Sequence, residues 1–556
     1  MTTSQAANQY DVIIMGGGLA GLSLSLQLKQ RLPGLRVLVV ERRAHPVPQA
    51  THKIGESTVE IAANYFDTVL GLKDHLVSKQ LKKFGFRFFF SDGREDLDRV
   101  TEIGASRYLS TPSYQIDRGI FENFLGEAVR RDGIDFRDDA VIRQFALRSG
   151  SEEHSITYEH NSKRHAATAR WLIDATGRAG LIKRQLGLER DNDHNANAVW
   201  FRIGTRITID DWSSDPDWRA RCTPAARWLS TNHLVGEGYW VWLIPLSSGS
   251  HSVGIVADSS IHPSTSFDSF EKVLAWLERH QPRLSRELRH KQDLLQDFAY
   301  LRSFSYGCER VFSKDRWALT GESGVFLDPF YSPGSDFIAI ANTYVTELVA
   351  QDKQGENIDK LVRVYERFFM SFYESTLSLY RNQYAMFGNS AAFPFKIIWD
   401  YTYYWGILCQ LFFQRRLTDI GLLGSVGHEL ELSKALNHAM QTFLRDWSEV
   451  ASGDNPPVMF DHASLEWFVE LNRGLRDPLD DASFMRRIGE SARRLQSLAL
   501  EIVELAQSQH AGLGAEAIKR LIDPALRRAD FAPMLADIPG FTTQQRPNKT
   551  EARALP

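Results

Sequence analysis

At 556 residues the chain is longer than one hydrophobic core can organise, so two or three domains are expected. Its 65 basic and 69 acidic residues leave a formal charge of −4, which offers no electrostatic attraction to nucleic acid. Cys222, Cys308 and Cys409 are odd in number and far apart, which argues against a disulfide framework or a metal site and for a reducing, cytoplasmic setting.

Residues 1–9 lack the basic start and apolar run of a secretion signal. DVIIM (11–15), a glycine cluster and leucines at helical spacing read as strand, tight turn and helix, and RVLVV (36–40) reads as the next strand. WLIDATG (171–177) and RWALTG (316–321) look like further buried strands ending in turns. Between them, YWVWLIP and HSVGIV suggest an inserted antiparallel sheet. From about residue 356 strand signals fade, and amphipathic stretches at 430–450, 482–508 and 514–529 predict helices. The expected architecture is therefore α/β: a Rossmann-like core with an inserted antiparallel sheet over residues 1–350, and a mostly helical region over 351–556. Phe393 to Phe413 is aromatic-rich but interrupted by Pro394, Lys396 and Asp400, so it predicts a buried or interfacial helix and no membrane span. The polar tail near 542–556 is expected to fray, and no repeat is present.

Gly16, Gly18 and Gly21 form G-x-G-x-x-G directly after a strand, with Ala20 inside the pattern and Glu41 twenty residues past the last glycine. Gly16 permits the tight turn, Gly18 lets the backbone approach a pyrophosphate, and Gly21 lets the helix pack against the sheet. The helix N-terminus offers N–H groups and partial positive charge to phosphates, while Glu41, followed by Arg42, can accept from a ribose hydroxyl.

Two later segments extend this reading. Asp174-Ala175-Thr176-Gly177 and Gly321-Glu322 before Asp328-Pro329 resemble the second and third FAD signatures of the flavoprotein monooxygenase superfamily, with Glu322 where Asp is usual. Gln115-Ile116-Asp117-Arg118 is similar to a segment whose arginine lies near the flavin and its phosphates. Within that superfamily the chain resembles the flavin-dependent halogenases. Trp240-Val241-Trp242-Leu243-Ile244-Pro245 matches their W-x-W-x-I-P signature, and Lys53-Ile54-Gly55-Glu56-Ser57-Thr58 matches the loop over the flavin. Lys83-Phe84-Gly85-Phe86-Arg87-Phe88 lies where the family carries its active-site lysine. Asp328-Pro329-Phe330-Tyr331-Ser332-Pro333-Gly334 resembles the loop that faces the isoalloxazine and binds halide, which nominates Ser332, Gly334 and Ser335 for chloride or bromide.

The resemblance implies reduced FAD supplied by a separate reductase, formation of hypohalous acid from O2 and halide, and halogen delivery by Lys83 to an electron-rich ring. Lys82 is the second candidate for that role, and Ser57 and Glu56 could also cap the helix that follows them. Trp240 and Trp242 share a strand face, as core residues also would, and the resemblance gives them the task of keeping substrate off the flavin. Tyr331 replaces the glutamate of relatives acting on free tryptophan, which favours a phenolic, pyrrolic or aryl-polyene acceptor, free or carrier-bound. Pro333 removes a backbone donor from the halide loop, and Asp336 is expected at the surface or as a cap. The aromatic stretch 393–413 reads equally as a pocket wall or as a packing helix. Two other functions stay open: a halogenase-like enzyme that oxidises without halide, and a flavin-binding scaffold without turnover.

Overall fold

The computed structural model describes residues 8–50, 54–524, 526 and 533–535; most of segment 1–9, Lys53, the end of the 514–529 stretch and the 542–556 tail lie outside the described residues. The chain opens on β1 (Asn8–Met15), turns into α1 (Leu19–Arg31) and returns as β2 (Val37–Val40). It leaves for two short strands of another sheet, β3 (Phe86–Phe89) and β4 (Glu102–Gly104), and comes back through α2 (Arg118–Arg131) and β5 (Asp135–Arg137). A hairpin of β6 (Ala140–Ala146) and β7 (His154–His160) leads into the long β8 (Lys163–Asp174). The second sheet is then built from β9 (Ala196–Ile203), β10 (Thr231–Gly236), β11 (Tyr239–Pro245), β12 (His251–Asp258) and β13 (Leu295–Leu301). Finally β14 (Trp317–Leu319) rejoins the first sheet, and α3 (Gly334–Lys353) packs against α1.

The first sheet runs β5-β2-β1-β8, with these strands parallel, and β8 is shared on its far edge. Residues 163–169 pair antiparallel with β7, while residues 172–174 pair parallel with β14. Fully buried strands such as VLVV belong in this setting, because helices cover a parallel sheet on both faces.

The second sheet follows the order β13-β9-β12-β11-β10-β3-β4 and accepts a last strand, β15 (Met459–Asp461), from the helical region. It is mixed, since β10 runs parallel to β3, and β4 parallel to β15. Both of its faces are buried. Trp240, Trp242 and Ile244 enter the large core, whereas Tyr239, Val241 and Leu243 pack on a second core with Trp276 and Leu284 from helices Phe270–His280 and Pro282–Arg289. The helical region contributes α4 (Asp359–Leu377), α5 (Phe393–Tyr403), α6 (Gly427–Val450) and α7 (Asp481–Gln509). The 393–413 stretch is a buried helix interrupted by a π-helical segment, Tyr404–Cys409. No helix among the described residues is long and apolar enough to cross a membrane.

Candidate functional site

A cavity of about 480 Å3 lies between the two sheets, where the β1–α1 turn, the 54–57 loop, β10, β11 and the 320–338 segment converge. Its phosphate end is made by the glycines. Gly16 has φ +108° and a Cβ there would lie 2.3 Å from Ala175 O; a Cβ on Gly21 would lie 2.0 Å from Gly16 O. Gly18 has nothing within 4 Å of its missing Cβ and, with Ala20, borders the cavity. No side chain caps α1, so its first-turn N–H groups are left for a phosphate. Gly17 N–H donates to Glu41 Oε2 (2.7 Å), which fixes the acid at the cavity edge beside Arg42.

The 54–57 loop is held by charge. Arg118 Nη1 donates to Ile54 O (2.7 Å) and Nη2 to Glu122 Oε1 (2.6 Å), beneath Gly55. Glu56 is paired with Arg202 (2.6 Å), an arginine on β9 that no motif marks. Burial pushes the Glu56 carboxyl up, and the guanidinium opposes this. Gly177, Gly321, Glu322, Pro329, Ser332, Gly334 and Ser335 all border the cavity. Asp174 does not: its oxygens accept from Thr176 N (3.0 Å) and Ile182 N (2.7 Å), so it braces the turn behind the wall. The glycine cradle, the uncapped helix and Arg118 together fit a dinucleotide. In the 328–334 loop, Ser332 N–H is committed to Pro329 O (2.9 Å), which leaves the amides of Gly334 and Ser335 at the start of α3.

Trp240 and Trp242, 1% and 4% exposed, both wall this cavity with ring centroids 5.6 Å apart. Trp242 Nε1–H donates to Ser252 Oγ (3.1 Å) and Trp240 Nε1–H to Tyr384 Oη (2.8 Å). Tyr384 in turn donates to Asp328, whose Oδ2 also lies 2.8 Å from His194 Nε2. His233 completes the wall, stacked on Phe88 (4.7 Å), and burial pushes its imidazole down to about 3, so it stays neutral.

Lys83, 3% exposed, stands just behind Ser57. Its Nζ donates to Ser57 Oγ (2.9 Å) and Thr58 O (3.0 Å) and lies 3.4 Å from the centre of the Phe86 ring. Burial drives this ammonium well below the usual lysine range, against the pull of Glu60 and Asp336. Lys82 is exposed and lies over Tyr108. A second cavity of about 50 Å3 is walled by Val59, Phe86, Tyr331, Asp336, Tyr401 and Tyr404 among others; Lys83 meets its wall through the Phe86 ring, and Pro333 borders both cavities. Asp336 is buried in this wall at 1% exposure, neither surface residue nor cap, because Ala62 N–H (2.8 Å) and Tyr404 OH (2.6 Å) satisfy its carboxylate inside. The aromatic stretch is both a packing helix and a pocket wall. Arg202, His233, Glu60 and Tyr384 escaped the sequence reading, since none stands in a recognisable motif; Asp328 was quoted within its motif but given no role.

A family model described as an FAD binding domain matches residues 9–235. A flavin-dependent halogenase of Dictyostelium discoideum is 26% identical over 510 residues, 82% of this chain and 82% of that protein. A 1H-pyrrole-2-carbonyl peptidyl-carrier-protein brominase of Pseudoalteromonas luteoviolacea is 22% identical, covering 63% of this chain and 79% of its own. The crystal structure of the halogenase PltM is similar in fold, with a TM-score of 0.62, 17% identity, and coverage of 93% of this chain and 99% of that one.

Proposed function

The chain belongs to the flavin-dependent halogenases, FAD enzymes that use halide, and on that premise we propose that it halogenates a phenolic or pyrrolic ring through hypohalous acid and Lys83. The observation that carries this reading is the order of groups across the site. Two indoles wall the large cavity, and a desolvated lysine that lines neither space donates to Ser57, which borders the large one, and lies against Phe86, which borders a second, tyrosine-lined one.

FAD, when bound and reduced, supplies with O2 and halide a hypohalous acid at this wall. The α1 amides and Arg118 hold its phosphates and Glu41 its ribose, while the 54–57 loop, pinned by Arg202, excludes water. The Gly334 and Ser335 amides orient halide at the start of α3; Pro333 contributes none. Trp240 and Trp242, which wall the large cavity, are assigned the task of keeping an acceptor ring off the flavin. Lys83 Nζ, fixed by Ser57 and Thr58, holds the oxidant by hydrogen bond and hands its halogen across. A separate flavin reductase supplies the electrons, and the carrier-protein brominase among the relatives supports a carrier-borne acceptor as one form of substrate.

The test combines the purified protein with a flavin reductase, NADH, O2, bromide and a simple phenol. Brominated phenol is expected, and Lys83→Ala should lower its rate at least about 100-fold while flavin fluorescence still reports binding. Hydroxylated phenol formed without halide would replace this reading with a halide-independent monooxygenase, and flavin binding without turnover would replace it with a scaffold.

A further inference from the structure

Tyr331 leaves this site without the glutamate that would take a proton from the ring, yet three buried carboxylates stand nearby: Glu60, Asp336 and Asp400. Asp400 is locked, since it forms an ion pair with Lys396 (2.9 Å) and accepts from Tyr331 OH (2.7 Å) and Gln441 Nε2 (2.7 Å). Neither Glu60 nor Lys83 borders the small cavity, though Lys83 Nζ lies 3.4 Å from the centre of the Phe86 ring in its wall. Asp336 does border it, and among the described residues it has no ion-pair partner, only two neutral donors.

We propose that Asp336 is the catalytic base for the acceptor: a phenol entering the tyrosine-walled cavity places its hydroxyl against this carboxylate and its ring toward Lys83. The inference rests on the halogenase reading above. The phenol O–H breaks and its proton passes to Asp336. A ring carbon bonds the halogen as the O–X bond of hypohalous acid breaks, and the leaving hydroxide takes a proton from Lys83 Nζ to become water. The ring C–H proton then returns to Lys83, and Asp336 gives its proton back to the phenol oxygen, so phenol and hypohalous acid become halophenol and water. Entry of a ring into a space this small requires rotation of wall side chains, which is common where partners meet. The groups that would receive its hydroxyl are already in place.

Burial pushes the Asp336 carboxyl up to about 8, against the hydrogen bonds from Tyr404 and Ala62. Glu60 and Lys83 face it with opposite effects, and the hydroxyls of Tyr404 and Tyr380 and the thiol of Cys409 lie within its field, all three pushed upward and therefore neutral. Only ionised Asp336 can take the phenol proton, while the need for a protonated Lys83 is common to phenol and ether, so the phenol-over-ether rate ratio should rise with pH through about 8.

The experiment compares a phenol with its methyl ether, which has no O–H to lose, as bromination substrates for the wild-type protein and Asp336→Asn. Flavin fluorescence reports folding. The phenol-over-ether rate ratio is expected to fall about 10²–10⁴-fold in the variant, and the rise through pH 8 to vanish. Equal losses on both acceptors, or an unchanged ratio, overturn the proposal. If Asp336→Asn fails to bind flavin, Tyr404→Phe decides: loss of its hydrogen bond should move the rise to higher pH, and an unmoved rise overturns the proposal. A wild-type protein that brominates neither acceptor refutes the halogenase reading itself, and this proposal with it.

Discussion

Trp242 owes its place to the absence of a side chain opposite. Its partner in the β11–β12 register is Gly254, and a Cβ there would sit 2.1 Å from Trp242 Cζ2. Gly254→Ala must therefore push the indole off β12 and into the large cavity, at an overpacking cost of about 1–3 kcal/mol. The expected outcome is a lower Tm together with less halogenated product per flavin oxidised, read by thermal melting and product-to-NADH ratio. An unchanged ratio would mean that the Trp242 position does not govern confinement of the oxidant. The tryptophan pair was singled out by its resemblance to the W-x-W-x-I-P signature, since period two alone reads equally as core packing. Gly254 was not, since HSVGIV reads as an ordinary strand with one small residue, and only the register shows what the glycine admits.

At the scale of elements, β3 and β4 are joined through buried charge. Glu102 accepts from Arg87 on β3 and from Arg227 Nε (2.8 Å) and Nη2 (3.2 Å), and all three side chains are fully buried. Burial alone would raise the Glu102 carboxyl, but the two guanidiniums hold it below the ordinary range. Its contribution to stability is thus present above the usual glutamate pKa and lost only as pH falls through the depressed value. Glu102→Gln keeps the shape and strands two arginines, so a loss of about 3–5 kcal/mol in urea unfolding at pH 7 is expected. Because β3 continues directly from Lys83, the lysine should lose its fixed position in the same variant. The nucleotide-binding elements were readable because strand, turn and helix are written within about 25 consecutive residues, with the glycines at fixed spacing between them. The second sheet was read only in part. Its alternation gave the antiparallel β11 and β12, but β15 joins β4 from more than 350 residues away, and no local pattern encodes such a pairing.

For the whole molecule, the decisive joint lies where the helical region touches the β10–β11 turn. Tyr384 reaches back across this joint: its carbonyl accepts from Gly238 N (3.0 Å), and its hydroxyl takes the Trp240 indole N–H while donating to Asp328. Gly388 comes so close to the turn that a Cβ there would lie 2.7 Å from Glu237 N. One wall of the large cavity is therefore set by residues far along the chain, through a line running from Trp240 to Tyr384, Asp328 and His194. Tyr384→Phe preserves the ring, which stacks on Phe387 (4.6 Å), and deletes only the hydroxyl. Trp240 N–H and one Asp328 lone pair then stay buried without that partner, which costs about 1–3 kcal/mol. Flavin affinity should hardly change, because no phosphate or ribose group is involved, whereas the indole gains freedom to swing. The fraction of consumed O2 recovered as halogenated product should fall and the fraction recovered as hydrogen peroxide should rise, measured side by side with an oxygen electrode and product chromatography. A purely structural role would lower Tm and leave that partition unmoved, and such a result would remove Tyr384 from the account of how the oxidant is confined.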